Sequence, residues 1–143
     1  MGGWSEYMVI IPEAFVYQVS GGIGPEIAVY SELLACAFAL DKVKDFSSMA
    51  SEGFLTGSSV LIQGAGPLGV AHIMMARMVG AGTIIVLDQQ DYRLDKAKVF
   101  DADHTLNVGT TPEGEQIELV RQWTDGRGVD VAIECVGLPE AVP

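Results

Sequence analysis

Apolar runs that each end at a turn signal organise the second half of the chain. Strand candidates fall at residues 59–63, 83–88, 104–108 and 129–136, rich in β-branched residues and bounded by Gly, Asp or Asn. Between them, residues near 67–80, 91–101 and 113–124 carry helical spacing with readable boundaries. Pro67 suits a first helical turn, and Gly80 with Gly82 suits the exit. Asp91 is expected to cap the second of these helices. Thr111 is expected to cap the third, with Pro112 next and Glu113 and Glu115 near the positive end of its dipole. Asp125-Gly126-Arg127-Gly128 marks the turn into the last strand. Strands alternating with helices over short connections predict a parallel sheet with helices on its faces.

The first part of the chain has a different pattern. Residues 5–19 read as two short strands broken at Pro12, followed by a Gly-rich turn at 21–25. Residues 26–40 carry a helical pattern, and the Ser- and Gly-rich stretch 45–58 reads as a surface connection. Two strands cannot bury their faces alone, so this piece is expected to be the tail of another domain. The nearly all-apolar strand 129–136 would lie at a sheet edge, which invites pairing with another chain. The sequence therefore reads as a fragment at both ends.

Composition narrows the function classes. The 143 residues amount to one domain's worth of chain, with 49% hydrophobic and 19% charged positions, as in globular proteins. A net charge of −11, with only 8 Lys and Arg and no cluster of them, argues against nucleic acid as a partner. No apolar run reaches membrane-spanning length, and the start MGGWSEY lacks the pattern of a secretory signal. Cys36 and Cys135 stand far apart without CxxC spacing, so they read as free thiols of a reducing, cytoplasmic setting.

The chemistry concentrates between Val60 and Asp88. In Gly64-Ala65-Gly66-Pro67-Leu68-Gly69, Gly64 permits a tight turn off the strand and Gly66 lets the backbone approach a pyrophosphate. Gly69 lets the following helix pack closely, and that helix start presents free N–H groups. Asp88 ends the next strand, where a carboxylate can take adenosine ribose hydroxyls. Together these features point to a nicotinamide dinucleotide site; the bland alternative is an unused turn of an ordinary α/β sheet.

Five segments, taken in order, resemble the zinc-type medium-chain alcohol and polyol dehydrogenases: GGWSEYMVIIPEA, SELLACAFAL, VLIQGAGPLGV, IIVLDQQDYRLDKAKVFDADHTLNV and GRGVDVAIECVG. The resemblance implies an α/β, Rossmann-type doubly wound parallel sheet, incomplete at about four strands, with a short β-containing N-terminal remnant of a catalytic domain. Residues 1–57 would be that remnant plus a connecting helix, and 58–143 a partial NAD-binding domain. The implied reaction is hydride transfer between a small alcohol or polyol and NAD, with zinc in the full-length family member. A homo-oligomer is expected, and the fragment alone is expected to be inactive. The rival reading is a non-catalytic dinucleotide-binding or interaction module completed by a partner chain.

Carried over residue by residue, the resemblance makes Gly64, Gly66 and Gly69 the pyrophosphate turn, with the Pro67 and Leu68 backbone amides facing the phosphates. Asp88 matches the ribose acid and implies NAD rather than NADP, since a carboxylate repels a 2′-phosphate. Arg93 matches a basic residue beside that ribose, or is a solvated helix-face Arg paired with Asp88. Cys135, Val136 and Gly137 match the end of the fourth strand, where backbone and apolar side chains flank the adenine. Glu32, in Glu32-Leu33-Leu34-Ala35-Cys36, matches a glutamate at or near the catalytic zinc, or is a helix-start acid favoured by the dipole. Cys36 would then face the nicotinamide pocket or serve as a small core residue. The family's principal zinc ligands and its four-cysteine lobe have no counterpart here. His72 and His104 lack metal-ligand spacing and read as structural. Asp101 replaces a usual Gly at a helix exit, a position where Asp tolerates the left-handed conformation. Residues 45–56 look like an insertion.

Overall fold

The computed structural model describes residues 6–47 and 54–141. Four parallel strands form one sheet: β1 (Ser59–Gln63), β2 (Thr83–Asp88), β3 (His104–Asn107) and β4 (Val131–Glu134), in the spatial order β3-β2-β1-β4. In register, Leu61 lies beside Ile85 and Ala132, and Leu87 beside Leu106. The connections are α4 (Pro67–Met78), α5 (Asp91–Val99) and α6 (Glu113–Trp123); they follow α1 (Pro25–Ala28), α2 (Ser31–Ala37) and α3 (Ala39–Ser47). Pro139–Ala141 form a single 3₁₀ turn.

The alternation of side chains along β1 and β2 builds two cores. Val60, Ile62, Ile84 and Val86 face a layer containing Ala71, Ile73, Met75 and Ala76 of α4, Leu94 and Ala97 of α5, and Ala37 and Leu40 before and within α3. Leu61, Ile85, Leu87 and Leu106 face the other way, against Leu119, Val120 and Trp123 of α6. Strands buried on both faces must be apolar at consecutive positions, which explains the uninterrupted runs at 59–63 and 83–88. Trp123 also stacks on His104, ring centroids 4.5 Å apart, which gives that histidine a structural task.

At the N-terminal end of the sheet, Asp130 clasps β1. Its Oδ2 accepts from the Ser59 N–H at 2.7 Å and the Ser59 hydroxyl at 2.8 Å. These bonds, the backbone one foremost, hold the Asp130 carboxyl below its ordinary range. Arg77 closes the same end between helices, donating to the carbonyls of Ala81 and Asp101 and pairing with Asp103 at 2.9 Å. Asp101 occupies the left-handed region expected of it, with φ 70°.

Several expectations need correction. Of the stretch 5–19, the described residues 6–19 form no strand; the chain turns at Pro12–Glu13, and Tyr7, Val9 and Phe15 are exposed. A strand exists only by pairing, and no described strand lies alongside to accept their backbone groups. The helical pattern over 26–40 is not one helix but three short ones, the last running to Ser47 and so into the stretch read as a connection. That stretch is not wholly surface either, because Phe54 is fully buried in the α4 core. Residues 48–53 lie outside the described ones. The expected caps also fail: α5 and α6 begin after Gln90 and Pro112, without a side-chain cap bond. The Asp91 carboxylate is instead engaged by Asn107 Nδ2 at 2.6 Å. No helix among the described residues is long and apolar enough to cross a membrane.

Candidate functional site

All four strands point their C-terminal ends the same way, so the loops leaving them meet at one edge of the sheet. In such sheets ligands bind outside the carboxyl ends of the strands, where the strand order reverses. Here the reversal falls between β1, whose chain crosses to β2 on one side, and β4, which pairs on the other. A cleft of about 690 Å³ opens at this point. Its walls include Gln63 and Gly64 after β1, Leu87 and Asp88 from β2, Val108 after β3, and Cys135 and Val136 after β4.

The glycine turn forms the floor. Gly64 leaves β1 with φ 97°, in the region that L side chains avoid, and its N–H donates to Leu87 O at 2.7 Å. Gly66 is the N-cap residue of α4, and Pro67 opens the first turn. A Cβ on Gly66 would meet nothing within 4 Å, so the backbone there stands open to the cleft that it lines. Gly69 is the opposite case: a Cβ would lie 1.9 Å from Gly64 O. The helix therefore sits directly on the turn, its N-terminal dipole aimed at the cleft. Pro67 has no N–H to donate, and its carbonyl accepts the Tyr30 hydroxyl at 2.6 Å. Its part is to fix the first turn, while the donors come from its neighbours.

Asp88 is 8% exposed, and both of its carboxylate oxygens are engaged. Oδ2 accepts the Ala65 N–H at 2.8 Å, and Oδ1 accepts the Gln90 N–H at 2.8 Å. An ionised carboxylate offers about four lone-pair sites, so acceptor capacity toward the cleft remains. Arg93 approaches Oδ2 to 3.7 Å, and its Nε donates to the Tyr92 hydroxyl at 3.0 Å. The Tyr92 contact, ahead of Asp88, raises the guanidinium pKa above its ordinary value. Arg93 lines the cleft and is paired with Asp88.

On the β4 side, the Glu134 carboxylate accepts the N–H groups of Val136 and Gly137, the latter at 2.9 Å, which shapes the turn behind Val136. Burial, and to a lesser degree Glu134, pushes the Cys135 thiol up to about 11. Its Sγ lies 3.6 Å from His72 Nδ1. That nitrogen sits 3.0 Å from Leu68 O; because a carbonyl only accepts, Nδ1 carries the hydrogen. His72 therefore ties the start of α4 to the end of β4.

Of the expected site residues, Gly64, Gly66, Asp88, Arg93, Cys135 and Val136 line one cleft. Pro67, Leu68, Gly69 and Gly137 are not among the residues that line it. Glu32 stands apart, exposed on α2, where its Oε1 lies 3.9 Å from Cys36 Sγ. Among the described residues no group of three or more His, Cys, Asp or Glu could hold a metal. The sequence reading missed Gln63, Leu87 and Val108, which the rule of strand C-terminal ends would have found. It also missed Tyr92 and Gln116, which reach the cleft from helices, and Tyr30, for which no sequence signal exists.

Comparison with known proteins agrees with this geometry. The sequence model of the family described as "Zinc-binding dehydrogenase" matches residues 67–143. The L-threonine 3-dehydrogenase of Pyrococcus abyssi is 38% identical over 141 residues, covering 99% of this chain and 37% of that protein. The sorbitol dehydrogenase of Bacillus subtilis is 42% identical over 86 residues, covering 60% of this chain and 24% of that protein. In structure, the zinc-dependent alcohol dehydrogenase 2 from Streptococcus pneumonia superposes with a TM-score of 0.72 at 35% identity, covering 87% of this chain and 33% of that one. The chain thus spans about a third of the length of the relatives it matches. On the sequence match, the four-stranded sheet and the cleft at its carboxyl edge, the chain belongs to the zinc-binding dehydrogenase family and carries its NAD-binding portion.

Proposed function

We propose that the whole protein transfers hydride between a small alcohol or polyol and NAD, and that this chain supplies the dinucleotide site. The observation that carries the reading is the meeting of Gly64, the open Gly66 and the start of α4 with the Asp88 carboxylate in one cleft. The turn and helix start would hold the diphosphate, with Leu68 contributing backbone N–H and Gly69 the close approach. Asp88, flanked by Arg93, would hold the ribose and disfavour a 2′-phosphate. Cys135 and Val136, with Gly137 next to them in the turn, would flank the base from the β4 side. The bound nicotinamide supplies the hydride-accepting carbon. Glu32 with Cys36 offers two donor atoms where a zinc site needs three protein ligands, so any role of Glu32 at a metal requires residues outside those described. This chain alone is accordingly proposed to bind coenzyme without turnover.

The boundary we favour lies near residue 57, just before β1, with α2 and α3 joining the preceding piece to α4. A cytoplasmic setting fits two unpaired thiols. The side of β4 that no strand pairs with among the described residues favours a second reading, a non-catalytic module completed by a partner chain or a second copy across that edge. Zinc that co-purifies and disappears in Glu32→Ala supports the dehydrogenase reading against it.

The test is a fluorescence titration of the chain with NADH and NADPH, repeated on Asp88→Ala. NADH binds more tightly than NADPH, and the variant loses roughly ten- to a hundredfold in NADH affinity together with most of that preference. Absence of NADH binding, or an unchanged preference in the variant, refutes the assignment.

A further inference from the structure

Gln116 is one of the polar cleft residues to which the dinucleotide reading gives no task. It stands on the first turn of α6, half-buried, on the β3 side of the cleft. Its Nε2 donates to Thr111 O at 2.7 Å and more weakly to Val108 O at 3.4 Å. Both neighbours are carbonyl oxygens, which only accept, so the amide orientation is determined. The reverse orientation would set the side-chain carbonyl against two others. Oε1 is therefore left as an acceptor with no donor among the described residues, on a side chain already immobilised by its amine half.

The surroundings suit a planar base that carries a donor. Leu87 and Val108 give this part of the cleft apolar walls, and Val136 and Leu138 line it from the β4 side. In the order β3-β2-β1-β4, Val108 and Gln116 lie on the far side of Asp88 from the glycine turn. A diphosphate at the turn and a ribose at Asp88 direct the attached base toward them. Resting on the dinucleotide reading above, we propose that Gln116 Oε1 accepts the exocyclic amine of adenine and so makes the cleft selective for that base. A hypoxanthine base carries a carbonyl at the same position and would face Oε1 acceptor to acceptor. Immobilising Gln116 in advance removes most of the ordering cost of that contact.

The test compares NADH with reduced nicotinamide hypoxanthine dinucleotide by fluorescence titration of the chain. Three forms are used: wild type, Gln116→Leu and Gln116→Lys. The leucine removes donor and acceptor alike. The lysine can still donate to Thr111 O and Val108 O but offers no acceptor. Wild type binds NADH roughly tenfold more tightly than the hypoxanthine analogue, the range of one polar group left unpaired. In both variants the ratio falls toward one, and in the lysine form it reverses. A wild-type ratio of one, or a ratio that survives both substitutions while NADH still binds, overturns the role of Gln116 and leaves the dinucleotide reading standing. Failure of wild type to bind either coenzyme overturns both.

Discussion

Gly69 lies so close to Gly64 that a methyl group on the first would sit 1.9 Å from the carbonyl oxygen of the second. The contact is backbone on backbone, so no side chain can move aside. It sets how far α4 stands from the end of β1, and hence where the helix start sits relative to the cleft.

Two alanine substitutions in the glycine turn should separate folding from binding. Gly69→Ala must push α4 off β1, with an expected stability loss of about 2–3 kcal/mol, the range of backbone-shifting overpacking. Gly66→Ala meets nothing within 4 Å, so its melting curve stays at the wild-type position while the added methyl enters the cleft and weakens NADH binding. Urea unfolding and coenzyme titration of the pair check this; equal stability of the two variants would contradict the packing argument.

Asp130 carries a pH-dependent part of the stability. Removing it in Asp130→Ala leaves the buried Ser59 N–H and hydroxyl without their acceptor, at a cost of about 1–3 kcal/mol near neutral pH. Because the folded carboxyl titrates below its ordinary range, its contribution is complete above the unfolded value, about 3.9, and vanishes as pH falls through the lowered folded value. The stability gap between wild type and variant should stay constant from neutral pH to about 5, then narrow below about 4. A gap that does not narrow in acid would show that ionisation plays no part.

The two thiols should differ in reactivity. Cys36 is exposed, whereas burial raises the Cys135 thiol to about 11 and leaves little of the nucleophilic thiolate at pH 8. Iodoacetamide at that pH is expected to modify one thiol per native chain rapidly, at Cys36 by peptide mapping. Cys135→Ser leaves the fast count unchanged and Cys36→Ser abolishes it. Rapid modification of Cys135 would contradict its shielding by His72 and the β4 turn.

Much of the fold was legible because its signals are local. Strands buried on both faces must read as apolar runs, and β1 and β2 do; the Gly64 and Gly69 positions follow from backbone geometry alone. What stayed hidden depends on partners distant in sequence. Asp91 does not cap α5 because Asn107 claims its carboxylate. The β-like pattern of residues 6–19 yields no strand because no described neighbour pairs with it. Phe54 joins the core from a stretch whose Ser and Gly content suggests a loop, since one aromatic can fill a gap under α4 whatever its neighbours are. In the cleft, Asp88 and the glycines carry sequence signatures, whereas Gln116 and Tyr92 reach it only through the rotation of their helices.

The bond from Ala65 to Asp88 bears on any redesign of coenzyme choice. Exchanging the acid for a neutral or basic residue to admit a 2′-phosphate would also release the turn proposed to hold the diphosphate, so selectivity and loop order change together. A successful swap therefore demands a compensating acceptor for the freed amide, and single-site libraries at residue 88 should return weak binders of both coenzymes before they return a switched one.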